Sequence, residues 1–299
     1  MVCSYKTNSK RKMKTFLSAV ASDIINKFGN QLSNVTIVFP NKRAALFLNQ
    51  RLVEIYDKPI WSPSYISIND LFQAHSDLIM ADPLKAICEL YKCYVAITGE
   101  SLTLDQFYGW GQLLLSDFDD IDKNLADARL VFRNLAGIHE MDDLSYLTEK
   151  QVALIQRFFK NFQADIKNNS LLKKRFLAVW NKLYDIYTNF RIQLKTQGLA
   201  YEGMIYREVA ENPAISFSTR KYLFVGFNVL HKSEQLLFSR IQHEGNAYFY
   251  WDYDHYYAHI GQHTHTSPHE AGKYIELWQD KFPNTLDNKD KELYDKLTL

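Results

Sequence analysis

The chain has 299 residues, 46% of them hydrophobic and 14% aromatic. That is enough for one large domain or two with real cores, and too apolar for a disordered segment. A net charge of +1 excludes the global basic field of a protein that coats nucleic acid, so any DNA contact must come from a local patch.

Residues 1–13, with Lys10, Arg11 and Lys12, read as a basic, solvated tail, and Met13 is an alternative start. Residues 15–28 place Phe16, Val20, Ile24 and Phe28 on one helical face, and Gly29-Asn30 supply the stop. Val35 to Phe39 is a short β-branched run that reads as a buried strand, broken by Pro40-Asn41. Lys42 to Ile55 reads as a helix with Leu46, Leu52 and Ile55 apolar. Strand, tight turn and helix make one half of a βαβ unit. Trp61 to Ile68 reads as a second strand, with Asn69 capping the helix that follows.

From about residue 70 to 205 strand signals vanish. Leu84, Ile87, Leu90, Tyr91 and Tyr94 form one amphipathic stripe, and Phe107, Trp110, Leu113 and Leu114 form another. Trp180, Leu183, Tyr187, Phe190 and Leu194 form a third, ended by Gly198. Such stripes are core-facing helix seams. Strands return at Tyr222–Phe227 and Ala247–Trp251, separated by a helix from Ser233 to Ile241 with Ser233 as its cap. A further helix opens at His269. The expected architecture is α/β with a parallel sheet interrupted by a large helical insert: residues 14–75 and 206–285 form the α/β part, 76–205 the insert, and 286–299 the start of a linker.

Chemistry-bearing strings are scarce. No Gly-x4-Gly-Lys-Ser/Thr phosphate cradle, Gly-x-Gly-x-x-Gly fingerprint, Gly-x-Ser-x-Gly elbow or His-Glu-x-x-His pair is present. Asp252 and Asp254, after a strand, could hold a divalent metal beside a nucleotide-sugar, although turns and caps are the commoner use of such residues. His255, His259 and His263 recur at four, with His265 and His269 beyond, but Gly261 and Pro268 interrupt a helix, so a polar loop is the better reading than a zinc site. The three cysteines, Cys3, Cys88 and Cys93, are odd in number and lack zinc spacing, which suits a reducing compartment. No run is long and apolar enough for a membrane span and no secretory signal appears, so the expectation is a cytoplasmic chain without membrane partners. The strongest candidate site is the turn at Asn41, Lys42 and Arg43. It leaves a buried strand where α/β sheets bind ligands, and it carries two cations at a helix start, which suits a phosphate of a nucleic-acid backbone.

Several segments together resemble the AddB-type helicase–nuclease subunits, as found in Bacteroidetes: TIVFPNKRAALFLNQRL, FYGWGQLLLSDFDDIDKNL, YLFVGFNVLHKSEQLLFSRI, FYWDYDHYY and HEAGKYI. The resemblance runs over nearly all of residues 14–285, and order and spacing carry it more than any single motif. The resemblance implies a RecA-like domain of superfamily-1 helicase ancestry, interrupted by a helical insert. It also implies an inactivated motor. Lys14 to Phe16 leads straight into the first helix where an active member has a P-loop, and Gly226-Phe227 stands where an active member has Asp-Glu. Without a cradle or an acid for magnesium, ATP hydrolysis has no machinery. The family's carboxy-terminal PD-(D/E)XK nuclease has no counterpart here, so a fragment or a truncated frame is expected. The implied role is a non-catalytic, DNA-binding or scaffold part in double-strand break repair and recombination, with no cofactor in this chain and an AddA-type helicase as partner. The rival reading is a metal-dependent nucleotide-sugar transferase using Asp252 and Asp254.

Overall fold

The computed structural model describes residues 15–56, 60–132, 179–253 and 270–286. The expected basic tail, Asp254, the five histidines from His255 to His269 and residues 287–299 lie outside them. In chain order the elements are α1 (Phe16–Phe28), β1 (Val35–Phe39), α2 (Arg43–Ile55), β2 (Ser64–Ser67), α3 (Ile68–Gln73), β3 (Ile79–Met80), α4 (Pro83–Thr98) and α5 (Leu104–Lys123). There follow α6 (Leu183–Thr196), β4 (Leu199–Ala200), α7 (Glu202–Glu211), β5 (Lys221–Val225), α8 (Lys232–His243), β6 (Ala247–Tyr250) and α9 (Glu270–Gln279). The chain divides into two compact units. The first takes the described residues within Met1–Leu71, Ser216–Leu230 and Phe238–Leu299, and the second those within Phe72–Ile215 and His231–Leu237.

The first unit is built on a four-stranded parallel sheet in the order β2-β1-β5-β6. As expected, segments from both ends of the chain share this one sheet. Thr36 pairs with Ser64 on one side and Tyr222 on the other. All five residues of β1 are buried, because a strand with a neighbour on each edge and cover on both faces has no solvent side. At the outer edge Phe249 bridges Asn284, and the Thr285 amide donates to the Phe249 carbonyl at 2.7 Å. That tail occupies part of the edge of β6, where open backbone groups would invite pairing with another chain. Val20, Ile24, Leu32, Leu48, Leu52 and Leu223 belong to the core on this sheet.

Local chemistry explains the boundaries. Thr15 and Ser18 exchange side-chain and backbone bonds in a capping box that starts α1. The expected second strand is shorter than Trp61–Ile68: Trp61 is exposed, and Ile68 already opens α3. Asn69 therefore does not cap that helix. Ser67 and Asp70 do, the Asp70 amide donating to Ser67 Oγ at 3.2 Å and the Ser67 amide to Asp70 Oδ2 at 2.9 Å. Ser233 likewise lies inside α8, a residue past its start, and the Glu234 carboxylate accepts from the His231 amide at 2.8 Å. In α2 the packed residues are Leu48 and Leu52, while Leu46 and Ile55 are exposed. The helix is apolar on two faces and buries only one.

The second unit is mainly helical, but it is not free of strands. β3 and β4 form a two-residue parallel pair, with the Ile79 amide donating to the Gly198 carbonyl at 2.9 Å. Two residues are too few to show a period, which is why the stretch reads as wholly helical in sequence. The stripes pack as expected through Ile87, Leu90 and Tyr94, through Phe107, Trp110 and Leu114, and through Leu183, Tyr187, Phe190 and Leu194. Leu84 is the exception and is exposed. α7 runs across residue 206, the expected start of the returning α/β part, and packs on α5. At their contact the Gly203 amide donates to Asp119 Oδ1 at 2.5 Å, and a Cβ on Gly203 would lie 2.5 Å from the Asp119 carbonyl oxygen.

One polar cluster ties three helices of this unit together. Asp122 on α5 is fully buried. It accepts from Tyr187 Oη at 2.6 Å and from the Tyr201 hydroxyl, and pairs with Arg191 at 3.1 Å and Arg207 Nε at 2.8 Å. Arg207 also donates to the carbonyls of Ile121 and Ala126. A buried carboxylate on this scale is tolerable only because nearly every lone pair is met.

Candidate nucleic-acid interface at the carboxyl edge of the sheet

All four strands of the first unit run the same way, so their carboxyl ends share one edge. The chain leaves β1 toward β2 on one side, whereas β5 and β6 build outward on the other. The order therefore reverses between β1 and β5. In open parallel sheets such a switch point opens a crevice at the carboxyl ends, because the two following connections diverge. The turn after β1 holds Asn41 and Lys42, with Arg43 opening α2, and the turn after β5 holds Gly226 and Phe227. The structure thus brings the two segments singled out in sequence to adjacent strand ends, which in a sheet lie about 4.8 Å apart.

The β1 turn is set up by its own residues. Pro40 follows the last ladder residue and has no amide to continue it. Asn41 Oδ1 accepts from the Arg43 amide at 3.1 Å, which meets one of the four donors a helix start leaves unpaired. Lys42 sits at the cap position of α2, so the helix begins one residue later than its sequence suggests. Asn41, Lys42 and Arg43 are all exposed. Lys42 Nζ pairs with Asp70 Oδ1 at 3.0 Å. Burial pushes the Asp70 carboxyl up, but hydrogen bonds from the Ser67 amide and hydroxyl and from Lys42 outweigh it and hold the group below its ordinary range. Asp70 was not singled out in sequence. The signal was present as Ser-x-x-Asp, the spacing of a capping box, which places the acid in the first turn of α3 beside the β1 turn.

At the β5 end, Gly226 is exposed and adopts φ 72°, a left-handed conformation that favours glycine, while its amide donates to the Tyr250 carbonyl at 3.0 Å. Phe227 turns inward and packs edge-on against Phe224 and Phe238. No carboxylate stands at these two positions. Asn228 follows, its carbonyl accepting from Trp278 Nε1 on α9 at 2.9 Å.

Asp252 leaves β6, on the same edge but one strand beyond β5, and is exposed. Among the described residues no group of three or more His, Cys, Asp and Glu side chains is placed to hold a metal ion. Nor is any described helix long and apolar enough to cross a membrane. Cys93, held by burial up to about 11, is buried and inert. The second unit contains a cavity of about 340 Å³ lined by Leu78, Tyr184, Tyr187, Arg191, Lys195 and Glu208, among others. Its cations are Arg191, paired with the buried Asp122, and Lys195, paired with Glu208 at 3.1 Å.

No family model matches the chain, and no curated protein is significantly similar to it in sequence.

Proposed function

We propose that this chain is a non-catalytic, DNA-binding or scaffold portion of an AddB-type helicase–nuclease that acts in double-strand break repair and recombination, working with an AddA-type helicase. The observation that carries the reading is the meeting of two exposed cations, Lys42 and Arg43, at a switch-point edge whose neighbouring strand ends in Gly226-Phe227 rather than an acid. An active nucleotide-hydrolysing edge needs a phosphate cradle and a carboxylate for magnesium. This one has a helix start and positive side chains, which suit a backbone phosphate. The RecA-like ancestry and the insert belong to the same proposal and rest on the order of the segments in sequence. The transferase alternative rests on Asp252 and Asp254, of which Asp252 alone lies among the described residues.

The electrostatics make the test specific. Asp70 neutralises Lys42, so a phosphate must compete with it. Replacing Lys42 and Arg43 together with Ala should weaken binding about equally on all DNA sequences, because phosphate contacts carry no sequence information. It should also reduce the salt slope by about two, one per lost contact. Asp70→Asn should act the other way and tighten binding by freeing Lys42. These titrations belong in the complex with the helicase partner. An unchanged affinity and slope in the double variant would leave the two residues as ordinary surface charges. Calorimetry of the chain with Mg-ATP should show no heat, and a saturable micromolar signal would overturn the inactivated-motor reading.

A further inference from the structure

The cavity of about 340 Å³ in the second unit has Arg191 in its lining, and that guanidinium is only partly used. Arg191 donates to Asp122 Oδ1 at 3.1 Å and to the Tyr187 hydroxyl, and both bonds leave from Nη1. Nε and Nη2 have no hydrogen-bond partner among the described residues, and neither is sealed in the interior. These two nitrogens form one edge of the planar fork that takes both oxygens of an oxyanion. The edge is set in advance, because Nη1 is held and the guanidinium lies over the Tyr187 ring at 5.1 Å. The Arg191 side chain is 28% exposed, so an oxyanion arriving there meets less screening than at the open surface. The rest of the lining is largely apolar, with Leu78, Tyr184, Ile192 and Met204. Tyr184, Thr188 and Ile192 recur at four along α6, so one stripe of that helix borders the cavity.

We propose that this cavity binds a small monocarboxylate with an apolar, ring-bearing body, its carboxylate forked on Nε and Nη2 of Arg191 and its body against Leu78, Tyr184, Ile192 and Met204. Charge sets the head group. Asp122 is one carboxylate between two guanidiniums, Arg191 at 3.1 Å and Arg207 at 2.8 Å. Burial, and after it the Asp122 charge, pushes the Tyr187 and Tyr201 hydroxyls up, so both stay neutral. Glu211 approaches Arg207 only to 3.7 Å and is 51% exposed, so water screens it. The cluster therefore keeps a surplus positive charge, while Lys195 and Glu208 beside it cancel each other. One surplus charge suits a carboxylate. A phosphate monoester carries about −1.5 to −2 at pH 7, and its second charge would face Glu208 with no cation of its own. Size sets the body. An apolar cavity of about 150 Å³ takes a benzene ring, so 340 Å³ takes two fused rings and a short acid arm.

The inference does not depend on the DNA reading, because its readout is the heat of a small acid binding to the full chain. Calorimetry with naphthylacetate should show saturable, one-site binding with Kd at or below about 1 mM. Naphthylethanol has the same rings without the charge, and naphthyl phosphate has a charge too many, so each should bind at least about tenfold more weakly. Arg191→Lys keeps the charge and removes the fork, and should weaken the acid about tenfold. Arg191 also braces Asp122, so a second variant leaves that cluster alone. Ile192 is 57% exposed, and Ile192→Asp should spare the fold while its carboxylate repels the ligand, with a loss of at least about tenfold. Unchanged circular dichroism will confirm that the variants fold. No saturable heat up to about 10 mM acid overturns the proposal. So does an alcohol or a phosphate that binds as tightly as the acid, or a folded Arg191→Lys or Ile192→Asp chain whose affinity is unchanged.

Discussion

Asp70 and Asp122 each hold a cation at close range, Lys42 at 3.0 Å and Arg207 at 2.8 Å, yet the two pairs are opposites in consequence. The Lys42 side chain is 76% exposed and Asp70 39%, so water and salt compete with the contact at every moment. Such a pair contributes little to stability and can be exchanged for a ligand's phosphate at little cost. Asp122 is fully buried, and two tyrosines and two arginines from α6, α7 and the β4–α7 junction close round it. Solvent has little access to that carboxylate, so the cluster acts on how the helices meet. Burial therefore separates exchangeable charges from structural ones, although the residue types are the same.

The largest test of that contrast is Asp122→Ala. It leaves Arg191 and Arg207 without their counter-charge and should cost about 3–5 kcal/mol, read as a drop in the urea midpoint of the second unit. Asp122→Asn keeps the hydrogen-bond geometry on one oxygen and should cost less. A loss under about 1 kcal/mol for the alanine variant would mean that the cluster is solvated in solution.

A second test uses two other buried carboxylates of the same unit that are shifted in opposite directions. Burial pushes Glu234 up to about 7, the His231 amide and Lys123 failing to offset it and Glu202 adding to the rise. Folding therefore favours its protonated form. Its folded value lies above the unfolded 4.5, so stability should fall as pH rises from about 4.5 to 7. Glu234→Gln should remove that slope and raise stability at pH 8, by up to about 3 kcal/mol from the shift of two to three units. Glu89 is buried too, and burial alone would raise it, but Lys85, Lys92, Gln197 and Gln193 hold it down at about 2. Its contribution is present above about 4.5 and is lost as pH falls toward 2. Thermal melts across pH should show these two limbs separately in Glu234→Gln and Glu89→Gln. If Glu234→Gln melts with the same pH slope as the parent, the carboxylate is ionised and paired in solution.

The smallest expected effect is at the edge. Lys42→Ala should change stability by less than about 0.5 kcal/mol while still weakening DNA binding. A variant that unfolds as well as losing affinity would erase the distinction between the two kinds of pair.

The strands and long helices were legible because their patterns are long or dense. Val35–Phe39 is a dense β-branched run and Tyr222–Phe227 an apolar one, and the strands they contain became neighbours in one parallel sheet, the second ending at Val225. β3 and β4 were not legible, since two residues carry no period. The outer strand β2 was overextended because Trp61 looks like a strand residue and is instead exposed. Of the candidate site, the β1 turn could be named from its Pro and its basic pair, but its counter-ion Asp70 lies in another element, and only the Ser67–Asp70 spacing hinted at it. Asp122 was hidden within a run of acids that looks solvated. Its signal was positional: Trp110, Leu114 and Phe118 recur at four on the buried side of α5, and the next step lands on Asp122.

The sheet has a further consequence, for biosynthesis. Arg220 reaches Thr36 across 184 positions of chain, and β1 cannot gain its β5 neighbour until that much more has been made. Meanwhile the nascent Val-Thr-Ile-Val-Phe segment has only β2 beside it and presents a bare, apolar, β-branched edge. The intervening segment supplies most of the second unit, whose contacts α4·α5, α4·α6 and α5·α7 need nothing from β5 or β6. Synthesis order therefore lets the α4–α7 part of the helical unit form while the sheet waits half-built, and the unit's last piece, His231–Leu237, follows β5. Ribosome release and chaperone access during that wait, rather than the finished protein's stability, should govern how much of the chain is recovered unaggregated.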